Sequence, residues 1–482
     1  MAKTPDVIFS TDVPARLDRL PFSRFHWLVV AALGIIWILD GLEVTVVGSL
    51  SPAIAAPSAL NLTATEVGLT GSAYIAGAVL GSLVFGRLTD RFGRKRLFTV
   101  TVFVYLIGTI ATGFSWDFWS FVLFRFITGA GIGGEYGAIN SAIQELIPAR
   151  RRGVVDLAIN GSFWVGAGLG AFGSVLVLNP DLVPQEYGWR LAFVIGGLLA
   201  LVIIFLRRML PESPRWLMTH GRPEEAEAIV ARIEADIVAR RGPLPEEELP
   251  RIFLRRAGHA SWLQIAGALF RTYPKRTVLN VTLMATQAFC YNAIFFTYAM
   301  VLSRFYGIAP QNIGWFILPF AAGNFMGPLL LGHLFDSVGR KPMITLTYGL
   351  AGLLMIGTGF LFRAGALDAT QQTIAWTVIF FFASAGASAA YLTIGESFPL
   401  ETRAVSISIF YAFGTLVGGL GGPALFGALI QSGERGQIMY GYALGGGLML
   451  LGALAAWTLG FAAERKPLEA VTPPLSLADP PE

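Results

Sequence analysis

The 482-residue chain has a single cysteine, Cys290. One thiol rules out an internal disulfide framework and any paired-cysteine metal site, and it leaves the redox compartment unread. Charge is also scarce, at 14% of residues against 54% hydrophobic, whereas ordinary soluble domains carry about 25%. A soluble protein of two or three domains is therefore excluded. No GXXXXGK[ST] loop occurs, so ATP is not expected as a driver. No nucleophile stands with a base and no metal-ligand spacing is found, so no enzymatic chemistry and no cofactor are expected. The first apolar segment is too long and too charged for a cleaved signal peptide and is expected to stay in the mature protein.

What the chain has in quantity is apolar segments long enough to cross a bilayer as helices, about 18 residues or more. Twelve can be placed, near 26–50, 69–86, 97–115, 118–145, 155–178, 189–208, 276–303, 311–333, 343–362, 372–395, 404–430 and 438–461. The expected fold is an all-α membrane protein, six spans per half. The corresponding division is a polar segment 1–24, a first bundle 25–209, a linker 210–274, a second bundle 275–462 and a tail 463–482. Of the 35 Lys and Arg, thirty fall on one side of these spans, four on the other, and Arg125 lies within a span. A bias that steep puts both termini in the cytoplasm. The net charge of +4 is then a matter of topology, and no nucleic-acid partner is read from it. In the linker, residues 223–241 read as an amphipathic helix with Ala226, Ile229, Val230, Ile233 and Ile237 on one stripe. The tail, which ends PPLSLADPPE, reads as disordered.

The strip GRLTDRFGRKR, Gly86 to Arg96, sets five basic residues and Asp90 between two spans. It recurs 246 residues later as GHLFDSVGRK, Gly332 to Lys341, with Asp336 and Arg340 in matching positions. A second repeat pairs ELIPARRRG, from Glu145, with ESFPLETRA, from Glu396. These loops resemble those of the major facilitator superfamily, whose fold is two pseudo-symmetric six-helix bundles. PESPRWL, Pro211 to Leu217, narrows the resemblance to the sugar porter branch and its metabolite:proton symporter neighbours. The resemblance implies a gating latch made of Gly86, Asp90, Arg91, Gly93, Arg94, Lys95, Glu145, Arg152, Asp336, Arg340, Glu396 and Arg403. The second strip lacks three basic positions of the first and reads as the less sensitive copy.

Four charged residues sit deep in the first half. Asp40 and Glu43 share one face of span 1 by their i, i+3 spacing. Facing lipid, each acid would cost about 2.5–3.5 kcal/mol, so that face turns inward. Glu43 lies about seven residues, roughly 10 Å, from the outer end of span 1, and Arg125 lies equally deep in span 4. The two can pair if their helices face each other, with Glu135 and Asp40 nearer the midplane. Gly129 and Gly133 on span 4 offer a neighbouring helix a close approach. Resemblance to proton-coupled sugar porters implies that Glu43 and Arg125 form the proton switch, with Glu135 and Asp40 next in line.

Within that branch span 7 carries amides that bind substrate. Here Gln287 and Asn292 fit the pattern, as does Asn324 in span 8. Asn160 replaces a longer Gln in span 5, and Tyr391 replaces a Trp in span 10. Amides donate and accept, which suits hydroxyls and carboxylates alike; each could instead bond neighbouring helices. Thr286, Phe289 and Cys290 depart from the sugar pattern. DGLE at Asp40 to Glu43 resembles the aromatic-acid symporters, and GGEY at Gly133 to Tyr136 the phosphate and metabolite symporters. Span 5 lacks the Gly-Pro pair usual in drug antiporters, which counts against efflux. The expected activity is proton-coupled symport of a small polar metabolite, an organic acid or a sugar, by alternating access. The alternatives are a uniporter or exporter of the same substrates, or a non-transporting sensor on the same fold. Expected partners are a small-molecule substrate, protons and the lipid bilayer, and the protein is expected to be monomeric.

Overall fold

The computed structural model describes residues 8–62, 64–179, 181–208, 210–245, 248–255, 261–308 and 313–478. Before the first long helix come strand β1 (Ile8–Thr11) and α1 (Val13–Arg19). The first six passages are α2 (Arg24–Ala55), α3 (Ala64–Phe92), α4 (Arg94–Gly113), α5 (Phe118–Leu146), the pair α6 (Arg152–Gly161) and α7 (Phe163–Val177), and α8 (Gln185–Arg208). The linker holds α9 (Pro214–Thr219), α10 (Pro223–Arg241), β2 (Ile252–Arg255) and α11 (Trp262–Gly267). The last six are α12 (Pro274–Cys290) with α13 (Phe296–Tyr306), then α14 (Ile313–Ser337), α15 (Arg340–Arg363), α16 (Ala369–Ser397), α17 (Arg403–Gln431) and α18 (Arg435–Leu459). The tail adds α19 (Leu468–Val471) and β3 (Leu477–Ala478).

Among the described residues, nine of these twelve passages are long and apolar enough to cross a membrane on length and composition. The other three are α5, which carries Arg125, Glu135 and Glu145, the α12–α13 passage, and α17. Two passages are interrupted. The helix of span 5 breaks at Ser162, and span 7 passes through a π-turn at Tyr291–Phe295, a local widening often found at functional sites.

Glycine sets how closely the helices approach. A Cβ on Gly129 would lie 2.1 Å from the Tyr74 carbonyl oxygen, and one on Gly133 2.1 Å from that of Ala78. The four-residue stripe therefore lets α5 sit backbone to backbone on α3, as its spacing predicts. Between the halves, α3 packs on α17 and α14 packs on α6 and α7. Tyr391 and Tyr411 touch the apolar cores of both halves.

A third small core lies at the end of the bundle where the two halves' charged loops meet, here called the charged face. Ala226, Val230, Ile233 and Ile237 of α10 bury against Val13, Leu17 and Leu217. This is the amphipathic stripe of the sequence, except that Ile229 is only partly buried. The tail differs from its expected disorder, because it is described as far as Ala478. Strand β2 pairs antiparallel with β1 (Ile8 opposite Arg255) and with β3 (Leu254 opposite Leu477). Glu401 adds three bonds, accepting from the backbone N–H of Leu475 and Ser476 and from the Ser476 hydroxyl. A polar, proline-rich segment is ordered here by partners far away in sequence, which composition does not register.

Candidate functional site

At the charged face, the loop between α5 and α6 meets the loops of the second half. Asp336, near the end of α14, accepts the backbone N–H groups of Gly153 at 3.0 Å and Val154 at 2.8 Å. A carboxylate capping two N–H groups at the start of α6 is favourable, because a helix N-terminus carries unpaired donors and partial positive charge. Arg340 reaches Asp336 at 2.8 Å and grips Glu396 through two nitrogens, at 3.1 and 3.0 Å. Arg152 faces Glu396 at 3.6 Å, both fully buried, and Arg403 faces Glu145 at 3.7 Å. Four of these interactions cross between the halves and join them at this face.

Glu145, Arg152, Asp336, Arg340, Glu396 and Arg403 are thus brought into one network. Gly86 lies at the seam, where a Cβ would meet the Ser408 hydroxyl at 2.1 Å. Gly93 has φ 94 and caps α4, beside Glu212 and Trp216. Arg91 is exposed, its guanidinium over the Phe92 ring. The side chains of Asp90, Arg94 and Lys95 lie outside the described residues.

Sequence reasoning missed Asp18, Arg215 and Glu469. Arg215, on α9, bonds Asp18 and Glu469, each at 2.9 Å, and donates to the Glu145 carbonyl at 2.8 Å. Burial, the largest single influence, would push the Glu469 carboxyl up; the Arg215 charge, a backbone N–H bond and the charges of Arg403 and Arg152 together outweigh it and hold the group below the usual carboxylate range. Arg215 sits inside the PESPRWL motif, so it was visible as a pattern residue, but Asp18 and Glu469 have no local signal.

Inside the first half, Arg125 donates to Glu43 at 3.0 Å, with both groups buried. The pairing expected from equal depth is present. Thr109 donates a longer bond of 3.4 Å to the same oxygen, and the other Glu43 oxygen faces Gly196, where a Cβ would come within 3.0 Å. The guanidinium also stands 4.5 Å over the Tyr74 ring and 5.8 Å over Phe193. The pair is therefore walled by α2, α4, α5, α8 and Tyr74 of α3. Asp40, fully buried one turn away, has no hydrogen-bond partner for either oxygen among the described residues. Glu135 is likewise fully buried.

The amides do not gather into one cluster. In the first half the Asn160 amide donates to the Asn140 side chain at 3.2 Å and to Asp156 at 3.0 and 3.2 Å. In the second, Asn324 is buried and accepts from the Tyr291 hydroxyl at 2.8 Å. Asn292 donates to the Ala288 carbonyl of its own helix, and Gln287 is buried beside the Met284 sulfur. Rings bridge the gap between the halves. Tyr136 stacks on Tyr411 at 4.3 Å and on Tyr391 at 6.1 Å, while Trp164 lies 5.5 Å from Tyr291. Tyr136 also abuts Trp37, with centroids 4.6 Å apart. This aromatic seam was not predicted beyond Tyr391.

Two six-helix halves with a charged latch at one end and a buried ion pair within one half define a major facilitator fold. The model of the "Sugar (and other) transporter" family matches residues 27–473, and the chain belongs to that family. It is a transporter and not an enzyme. It is similar to the niacin transporter NiaP of Acinetobacter baylyi, at 27% identity over 413 residues, 86% of this chain and 89% of that one. It is also similar to the 4-hydroxybenzoate transporter PcaK of the same organism, at 28% identity over 359 residues, 73% of this chain and 74% of that one. Among solved structures, the proton:xylose symporter XylE bound to 6-bromo-6-deoxy-D-glucose superposes with a TM-score of 0.76, at 19% identity, covering 92% of this chain and 98% of that one.

Proposed function

We propose that this protein is a proton-coupled symporter of a small polar metabolite, an organic acid or a sugar, working by alternating access across the inner or plasma membrane with the charged face in the cytoplasm. The observation that carries the reading is the Glu43–Arg125 pair at 3.0 Å, sealed inside the first half beside Asp40, which has no hydrogen-bond partner among the described residues. A carboxylate held by Arg stays ionised, and one drawn away from it in an apolar bundle takes up a proton. Rocking of the halves makes that separation depend on conformation. One proton descending 100 mV releases about 2.3 kcal/mol, enough for more than tenfold accumulation. The niacin and 4-hydroxybenzoate carriers among its relatives, and the rings of the seam, favour an aromatic acid over a hexose.

The test is uptake by the purified protein in liposomes, with niacin, 4-hydroxybenzoate and xylose as first substrates. Glu43→Gln should abolish uptake driven by a pH gradient and keep exchange at equal concentrations. Undiminished concentrative uptake by Glu43→Gln would reject the assignment. Loss of coupling in Glu135→Gln instead would move the switch to α5. Orientation is tested by a cysteine placed on α10 in a Cys290→Ser background. Labelling from outside intact cells by an impermeant reagent would reverse the topology.

A further inference from the structure

At the rim of the charged face lies a cavity of about 640 Å³ whose lining, among the described residues, includes Arg150, Arg151, Arg241 and Arg465 and no acidic residue. The four arginines come from the turn before α6, the end of α10 and the turn after α18, and all four are exposed. Phe22 and Trp27, at the entrance to α2, form another part of the wall. Trp27 is exposed where the first apolar span begins, the depth at which tryptophan marks the membrane interface. Arg151 stands 5.5 Å over the Phe22 ring. Arg150 donates a long bond, 3.4 Å, to the Arg19 carbonyl.

Four guanidiniums around one cavity repel one another unless an anion shares it. Guanidinium forks match phosphate oxygens in pairs, and the neighbouring aromatic wall places the cavity at headgroup level. We infer that the cavity binds the phosphate headgroup of an anionic lipid from the leaflet on the charged face. The occupant joins the N-terminal segment, the first half's latch loop, the linker and the tail, and so reinforces the closed face. Basic pockets at this level are a known mode of headgroup recognition.

The experiment is native mass spectrometry and thermal shift of the purified full chain in detergent, titrated with phosphatidylglycerol, phosphatidylcholine or inorganic phosphate. Phosphatidylglycerol should bind and stabilise, whereas phosphatidylcholine and phosphate should not. Each arginine near a lipid surface contributes about fivefold, so Arg150→Gln with Arg465→Gln should weaken phosphatidylglycerol binding at least tenfold. Arg232→Gln with Arg240→Gln, an equal charge loss on α10 outside the cavity lining, should leave it unchanged. Arg241→Gln alone, with about a fivefold effect, serves if the double variant does not fold. Equal stabilisation by inorganic phosphate would overturn the lipid assignment. Equal losses in the cavity and control variants would overturn the site.

Discussion

The two halves share a plan but not an interior chemistry. Asp40, Glu43, Arg125, Glu135 and Asp156 all lie within the helices of the first half. The second half has no Asp, Glu, Lys or Arg over 277–303, 313–335, 342–362, 369–395, 404–430 or 436–459. Its interior polarity comes from amides and hydroxyls instead: Asn324 with Tyr291, Tyr298 with Thr373, and Tyr348 donating to the Leu283 carbonyl. A buried charge is expensive unless paired, whereas a neutral hydrogen bond contributes about 1 kcal/mol. Under the proposed function this difference divides the labour, with energy coupling in the first half and neutral recognition in the second.

The sharpest way to break that comparison is Arg125→Ala set against Asn324→Ala. Removing Arg125 strands Glu43 in an apolar interior, and breaking a buried pair costs about 3–5 kcal/mol. Thermal unfolding of the purified protein should show a far larger loss for Arg125→Ala than for Asn324→Ala. Glu43→Gln with Arg125→Gln should recover most of the stability but no coupling. Equal losses for the two single variants would mean that the halves do not differ in the way proposed.

Next in size is the latch. Arg340 makes a two-nitrogen grip on Glu396 and a 2.8 Å bond to Asp336, while Arg403 stands 3.7 Å from Glu145. Charge-assisted bonds contribute about 1.5–3 kcal/mol, so Arg340→Ala should slow transport more than Arg403→Ala, with substrate affinity kept in both. An affinity loss as large as the rate loss would place Arg340 at the substrate instead. Asn324→Ala comes third. One neutral bond lost predicts an affinity decrease of up to about tenfold with the proton-to-substrate ratio unchanged, and a changed ratio would contradict the division.

Local repetition and periodicity made much of this legible. Apolar length gave the helices, equal depth from the same end of their spans gave the Glu43–Arg125 pair, and the α10 stripe gave the small third core. Spacing does not reveal contacts between segments hundreds of residues apart. Asp336 reads as the weaker copy because its strip has fewer basic residues, yet it caps the start of α6 in the other half. Glu401 looks like an ordinary loop acid, and its three bonds to the tail exist only once the chain is folded. The aromatic seam was hidden for the same reason, since Tyr136 and Tyr411 meet across two helices that no repeat connects.

The smallest effect concerns the tail, which belongs by sequence to the second half and is tied to the linker that follows the first. Glu469 is held below the usual carboxylate range by Arg215, with Arg403 and Arg152 also facing it. A carboxyl whose pKa is lower folded than unfolded contributes stability that is complete above the unfolded value, about 4.3. That contribution is lost as pH falls through the folded value. Hydrogen-exchange protection of residues 466–472, the stretch around Glu469 and short of the Glu401 bonds to Leu475 and Ser476, measured in detergent, should therefore be steady from pH 8 to about 5 and weaken only below about 4. Glu469→Gln should show reduced protection across the whole range, without the acid step. If protection in the wild type fell between pH 7 and 5 instead, a group titrating near neutrality would be holding the tail, and the Arg215–Glu469 pair would lose its place as the tie between the two halves' appendages.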